Sequence, residues 1–226
     1  MSGPVLELLD AVPAAGSSPL AGPISLRLGA GELAVVDAPD RGMARALVEL
    51  CTGLVPLSSG EVRFLGTAWG GLQRREAEAL RGRIGLAPDD GGWMPYLSVE
   101  EGMLIGQLHH GTRAREELEA EAARLLRLFG VEEIPQGRPY AVDPMDLTRA
   151  ACARAFLGQP DLLLLESPQN QEIADMLVDP VLAALAEARG RGAAAIWTTR
   201  SRRAWEDPDF PATQRLSLTR DEEAAA

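Results

Sequence analysis

The residues Leu33–Leu54, with the sequence LAVVDAPDRGMARALVELCTGL, decide the fold. The apolar run Leu33–Val36 predicts a buried strand that leads into a turn. Ala44–Leu54 then repeats its apolar residues at helical spacing. A strand, a short turn and a helix in this order predict the first unit of an α/β domain.

The alternation of strands and helices continues along the chain. Short strands are predicted at Val5–Leu9, Ile24–Leu28, Glu61–Leu65, Arg83–Leu86, Leu162–Leu165 and Ala193–Thr198. Helices are predicted from a capping box at Ser98 and Glu101 toward His109, at Arg113–Phe129, at Met145–Leu157, and at Ile173–Arg189 with a break at Pro180. This pattern predicts a mostly parallel sheet covered by helices.

The length of 226 residues and the 46% of apolar residues fit one α/β domain over 1–226. The helical block at about 98–157 interrupts the alternation, so we expect it to form an inserted helical lobe. The last residues, 221–226, are predicted to be a mobile tail. Cys51 and Cys152 lie in helix-like apolar patterns, which predicts small buried core residues.

The charge of the chain restricts its partners and its chemistry. The net charge of −11 argues against a general affinity for nucleic acid, although Arg200, Arg202 and Arg203 form a local basic group. All 22 basic residues are arginine, and the two histidines, His109 and His110, are adjacent. A mechanism that needs a lysine, or a histidine elsewhere, is therefore excluded.

The sequence shows neither a membrane span nor a leader. No apolar run approaches the roughly 18 residues that a membrane span needs. Met1–Leu9 lacks a basic segment followed by an apolar one, so no signal peptide is predicted. We therefore expect a cytoplasmic location.

Three segments together carry a resemblance to a known family. They are Ile24–Val36 (ISLRLGAGELAVV) with Cys51–Gly66 (CTGLVPLSSGEVRFLG), Leu80–Met103 (LRGRIGLAPDDGGWMPYLSVEEGM), and Asp146–Pro168 (DLTRAACARAFLGQPDLLLLESP). In this order and at these distances they resemble the ATP-binding subunit of an ABC transporter, closest in style to bacterial importers or lipid-trafficking systems. The resemblance implies an α/β fold of the P-loop NTPase type, with a mostly parallel sheet, an N-terminal antiparallel β region and an inserted helical lobe.

The phosphate-binding loop of that family reads G-x-x-G-x-G-K-[ST], and its backbone N–H groups, lysine and hydroxyl hold the phosphates and Mg²⁺. With Gly42 as the last glycine, Met43 replaces the lysine and Ala44 replaces the hydroxyl residue. A shift by one residue places Ala44 at the lysine and Arg45 at the hydroxyl. Neither register restores the site.

The other nucleotide-site positions have also changed. Asp37 and Asp40 add negative charge to the loop, which opposes the binding of a polyanion. At the end of the Walker B strand, Glu166 stands where the family has aspartate. Ser167 replaces the catalytic glutamate and cannot act as a base. Three further positions match the Q-loop glutamine, the switch histidine and the adenine-stacking aromatic residue, and they are occupied by Asp89, Thr199 and Ala15.

The signature motif L-S-G-G-Q, which in the family faces the nucleotide of a partner subunit, is replaced by Val142, Asp143, Pro144, Met145 and Asp146. Pro144 has no N–H group to donate, and the two aspartates bring the wrong charge. The chain has thus lost both halves of the composite ATP site. We expect no catalytic residue, no metal site and no cofactor.

Three interpretations follow from these losses. In the first, the chain is a non-hydrolysing subunit that docks on a membrane permease at the inner face of the cell membrane, and a second ABC subunit is a further candidate partner. Its docking surface would include Trp93, Met94 and Tyr96, although packing between the lobes is the alternative role for Trp93 and Tyr96. In the second, it is an unorthodox ATPase that uses ATP and Mg²⁺ through Glu166 and a loop arginine. In the third, it is a soluble regulatory or scaffold protein.

Overall fold

The computed structural model describes residues 3–20, 22–111, 113–167, 171–199 and 205–218. The basic group Arg200, Arg202 and Arg203 and the predicted tail 221–226 lie outside these residues. In chain order the strands are β1 (Leu6–Pro13), β2 (Ile24–Leu28), β3 (Leu33–Asp37), β4 (Leu57–Phe64), β5 (Thr67–Ala68), β6 (Ile84–Ala87), β7 (Leu162–Glu166), β8 (Ala194–Thr199) and β9 (Gln214–Ser217). The helices are α1 (Arg41–Cys51), α2 (Arg74–Arg81), α3 (Val99–His110), α4 (Arg115–Leu128), α5 (Pro144–Phe156) and α6 (Gln171–Gly190).

A parallel sheet forms the centre of the fold, with the strand order β6-β7-β8-β3-β9. Its central strands are buried on both faces because side chains alternate between two cores. Leu163 and Leu165 belong to the core that includes α3, α4, α5 and α6. Leu162 and Leu164 belong to the core that includes α1 and the N-terminal strands. The predicted mostly parallel sheet is confirmed.

A second sheet is antiparallel and has the order β2-β1-β4-β5. Its strands β1 and β4 run further than the predicted Val5–Leu9 and Glu61–Leu65. The pairing of β1 with β4 continues past an irregularity after Leu9, which the alternation of apolar residues does not predict. This sheet is the N-terminal antiparallel β region that the resemblance implies.

The helical lobe shares its core with the parallel sheet, because Val99 of α3, Leu118 of α4 and Phe156 of α5 pack in one cluster with the strands. The predicted capping box starts α3. The Ser98 hydroxyl accepts the Glu101 N–H at 3.1 Å, and the Glu101 carboxylate accepts the Ser98 N–H at 2.8 Å.

Two helix predictions are wrong. Helix α1 covers Arg41–Cys51 and not Ala44–Leu54, because Asp40 caps it before the apolar repeat begins. Helix α6 continues through Pro180 without the predicted break. Val178 and Val181 on either side of the proline are buried in the core, and this packing favours a continuous helix.

Candidate functional site

A small cavity lies where the carboxyl ends of β3, β7 and β8 meet the start of α1. Its walls are formed by Ala38, Asp40, Arg41, Ala44, Asp89, Glu166, Ser167, Thr198 and Thr199. All of these except Ala38, Arg41 and Thr198 are predicted nucleotide-site positions. The fold therefore brings together residues that are far apart in the sequence.

The volume of this cavity is about 20 Å³. One buried water needs about 10–15 Å³, whereas pockets for small-molecule ligands usually measure about 300–1,000 Å³. In this conformation the cavity therefore has room for about one water molecule, far less than a usual small-molecule pocket.

The N-terminus of α1 is capped by the chain's own carboxylate. Asp40 is the N-cap residue, with extended backbone angles of φ −147° and ψ 171°, and its Oδ1 accepts the N–H of Met43 at 3.0 Å. A bound phosphate uses such N–H groups together with the positive end of the helix dipole. The Asp40 carboxylate already takes this donor and places a negative charge there.

The three residues after Gly42 point in different directions. Met43 is fully buried in the core that contains Val36 and Leu47, so it does not line the cavity. Ala44 presents only a methyl group to the cavity. Arg45 is exposed and its Nε lies 3.2 Å from Oε1 of Glu49, one helical turn away.

An ion pair closes one side of the cavity. The Nη2 of Arg41 donates a hydrogen bond to Oδ1 of Asp89 at 3.0 Å, and its Nε contacts Oδ2 of the same carboxylate. The Asp89 side chain is 8% exposed, whereas that of Arg41 is 53% exposed. The guanidinium thus covers a nearly buried carboxylate at the position that matches the family's Q-loop glutamine.

Glu166 is the last residue of β7 and is buried. Burial raises the pKa of Glu166 from its ordinary value of 4.5 to about 7. The charges of Asp89 and Asp90 also favour the protonated form, whereas the Asp89 N–H and the charge of Arg45 favour the ionised form. The carboxyl group is therefore partly protonated at neutral pH.

Ser167 donates its hydroxyl hydrogen to the backbone carbonyl of Thr198 at 2.9 Å. Its proton is therefore held by a carbonyl that cannot act as a base. Thr199 ends β8 and is buried in the cavity wall. The remaining three predicted positions lie outside the cavity wall: Asp37 is half-buried at the end of β3, Gly42 is exposed in the first turn of α1, and Ala15 lies in an exposed turn after β1.

The segment at the predicted signature position, residues 142–146, forms the start of α5. Asp143 is its N-cap, and Oδ1 accepts the N–H of Met145 at 2.8 Å and that of Asp146 at 3.4 Å. Pro144 is the first helical residue, where a missing N–H costs little. Val142 and Asp146 are half-buried beside the cap. As in α1, an aspartate occupies the helix end that in the family faces phosphate.

The predicted docking residues have different environments. Trp93 is half-buried, and its Nε1 donates to the carbonyl oxygen of Leu147 in α5 at 3.2 Å. Its place is therefore in the packing between the loop after β6 and the helical lobe. Met94 and Tyr96 are 40% and 68% exposed.

Two arginines were not predicted as site residues. The sequence gives a weak signal for the pair of Arg41 and Asp89. Arg41 is a cation at the start of a helix, and Asp89 is a carboxylate that follows another strand. Arg154 of α5 lies with its guanidinium 4.4 Å from the centroid of the Trp93 ring, and it donates to the Gly91 carbonyl at 2.5 Å. No spacing in the sequence identifies this contact.

Within the residues that the structure describes, no three His, Cys, Asp or Glu side chains are placed to hold a metal ion. In the same part of the chain, no helix is both long and apolar enough to cross a membrane.

Strand β3, a capped turn and helix α1 follow one another at the carboxyl ends of the strands of the parallel sheet. This arrangement defines a P-loop-type α/β domain. No family model matches the chain. A solved structure of the ATP-binding subunit of an ABC transporter matches it with a TM-score of 0.77 at 17% identity, over 95% of this chain and 85% of that one.

Curated relatives identify the family. The phosphonates import ATP-binding protein PhnC of Trichormus variabilis is 30% identical over 190 residues, which cover 79% of this chain and 75% of that protein. The methionine import ATP-binding protein MetN of Rhizobium etli is 29% identical over 160 residues, which cover 71% of this chain but only 44% of MetN. The chain belongs to the family of ABC-transporter ATP-binding subunits.

Proposed function

We propose that this chain is a non-hydrolysing ABC subunit that docks on a membrane permease and contributes structure without using ATP. The observation that carries the proposal is the filled phosphate site. Arg41 and Asp89 close a cavity with room for about one water, and Asp40 caps the helix end that a phosphate would need.

Electrostatics also disfavour nucleotide in this cavity. Among the described residues, Asp40, Asp89 and Glu166 line it together with the guanidinium of Arg41. Two like charges about 4 Å apart repel by about 4 kcal/mol at an effective dielectric constant of 20. A triphosphate would meet this repulsion and would also have to displace Arg41 from Asp89. ATP hydrolysis through Glu166 is disfavoured for the same reason.

A larger groove supports the docking part of the proposal. It has a volume of about 590 Å³ and lies between α1, the edge strand β6 and α5, and Glu166 is one of its lining residues. Leu54 and Leu86 in its wall are 61% and 36% exposed. Exposed apolar side chains grouped along a groove are typical of protein interaction sites. We propose that a segment of the permease binds in this groove, with Met94 and Tyr96 as further contacts.

In this proposal the chain lies at the inner face of the cell membrane, bound to a permease and, as an alternative partner, to a second ABC subunit. The relatives MetN and PhnC are named as import proteins, which supports a transport role. The proposed role requires no nucleotide and no metal ion.

Membrane fractionation of the source organism tests this function. We expect the wild-type chain to sediment with the membranes. It should be released when a groove residue and one of the further contacts are made acidic by Leu54→Glu and Tyr96→Glu. Met176→Glu, at a 51% exposed site on α6, is the matched control and should stay with the membranes. A wild-type chain found only in the soluble fraction would favour a regulatory or scaffold protein.

A further inference from the structure

The loop Asp89–Leu97 joins β6 of the parallel sheet to α3 of the helical lobe. At its first end, the Asp89 carboxylate is held by Arg41, the first residue of α1. Because the Asp89 side chain is 8% exposed, it depends on this partner more than a surface carboxylate would.

The middle of the loop is fixed to the helical lobe. Arg154 of α5 stacks on the Trp93 ring and donates to the Gly91 carbonyl, and Trp93 donates to the Leu147 carbonyl. Gly102 of α3 packs so closely that an added Cβ would lie 3.1 Å from the Trp93 ring. Two helices of the lobe therefore hold the middle of the loop.

Between the Asp89 and Trp93 contacts lie Gly91, whose carbonyl accepts from Arg154, and Gly92, with φ of 76° and 58°. Glycine adopts this left-handed conformation at little cost and has many other conformations available. A pair of such residues would let the loop rearrange if either contact were released. The order of the loop therefore depends on its anchors.

We propose that Arg41 is a built-in tie that fixes the helical lobe relative to the sheet, so that the lobe keeps its orientation without nucleotide. The tie runs from α1 through Asp89 and the loop to Trp93 and α5. It uses the cavity in which the phosphates would lie, so the same contact excludes nucleotide and orders the loop. This inference concerns the chain alone and goes beyond docking, so a failed docking experiment would leave it standing.

Hydrogen exchange measured by mass spectrometry on the full chain tests the tie. We expect Arg41→Ala to speed exchange in residues 89–97 by about tenfold or more, with a smaller increase at the start of α5. Arg45→Ala, which removes a neighbouring exposed arginine paired with Glu49, should leave the loop unchanged. Millimolar ATP with Mg²⁺ should not slow exchange of the wild-type loop.

Arg41→Lys keeps the charge but not the two-point contact, so we expect it to retain part of the protection. This graded series also separates the tie from a general loss of stability, because Arg41 is more than half exposed and lies outside both cores. The proposal would be overturned if the loop of Arg41→Ala exchanged at the wild-type rate, or if Arg41→Ala and Arg45→Ala had equal effects. It would also be overturned if ATP slowed exchange in the wild-type loop.

Discussion

Replacement of Met43 by lysine restores the family's residue at the position that the first register assigns to the P-loop lysine. In the structure, however, Met43 is 0% exposed and packs in the core with Val36 and Leu47. Truncation of a buried methionine usually costs about 2–5 kcal/mol, and an unpaired ammonium group in the same place adds the cost of removing a charge from water. We therefore expect Met43→Lys to lower the free energy of unfolding by at least about 3 kcal/mol. Domains of this kind have only about 5–15 kcal/mol in total.

Urea unfolding followed by circular dichroism measures this loss. Met43→Leu is the matched control, because a swap of similar volume usually costs less than about 1.5 kcal/mol. Calorimetry on the folded fraction of Met43→Lys should show no gain of ATP binding. If Met43→Lys is as stable as Met43→Leu, or if it binds ATP, then residue 43 faces the phosphate site and the placement of α1 is wrong.

Three further changes test other parts of the site. The raised pKa of Glu166 gives stability that is fully present below pH 4.5 and is lost as the pH rises through about 7. At about 1.36 kcal/mol per pH unit, the free energy of unfolding of Glu166→Gln should rise by about 3 kcal/mol relative to that of the wild type between pH 4.5 and pH 8. Urea unfolding of both proteins at both pH values measures this change. A difference between the two proteins that stays constant with pH would contradict it. Ser167→Glu should show no Mg²⁺-dependent ATP hydrolysis in a phosphate-release assay, because Arg41 and Asp89 still close the cavity; measurable turnover would show that the cavity opens. Asp143→Ala removes the N-cap of α5 and should lower the free energy of unfolding by about 1 kcal/mol, with Asp143→Ser close to wild type; equal losses in both variants would mean that the cap is not the cause.

Apolar spacing alone was sufficient to predict the central strands. Leu162–Leu165 is apolar at every position because its strand is covered on both faces, and the strand forms as predicted. Helix α2 was not predicted, because Ala77 is its one buried residue and no apolar stripe marks it. It is held by local contacts instead, such as the pair between Arg74 and Glu78 at 2.7 Å. Strand β9 was not predicted either. It is short and lies at the sheet edge, where the apolar pattern of a strand is weakest.

The residues that line the small cavity could be predicted in large part from the family pattern, but the contacts between them could not. Arg41 and Asp89 are 48 residues apart, and only the packed fold brings them into contact. The aspartate caps were predicted only as misplaced charges, since capping depends on the backbone angles of Asp40 and Asp143. The sequence left Trp93 open between a docking surface and packing between the lobes, because it gives no sign of the contact with Leu147.

The most direct test of the filled phosphate site is titration calorimetry of the purified chain with ATP and Mg²⁺ at millimolar concentration, with the melting temperature measured in parallel. We expect no heat of binding and no thermal stabilisation, because Arg41 and Asp89 close the small cavity beside α1 and Asp40 caps the start of that helix. Binding with micromolar affinity would show that the pair of Arg41 and Asp89 opens to admit the nucleotide. That result would contradict a subunit that works without ATP.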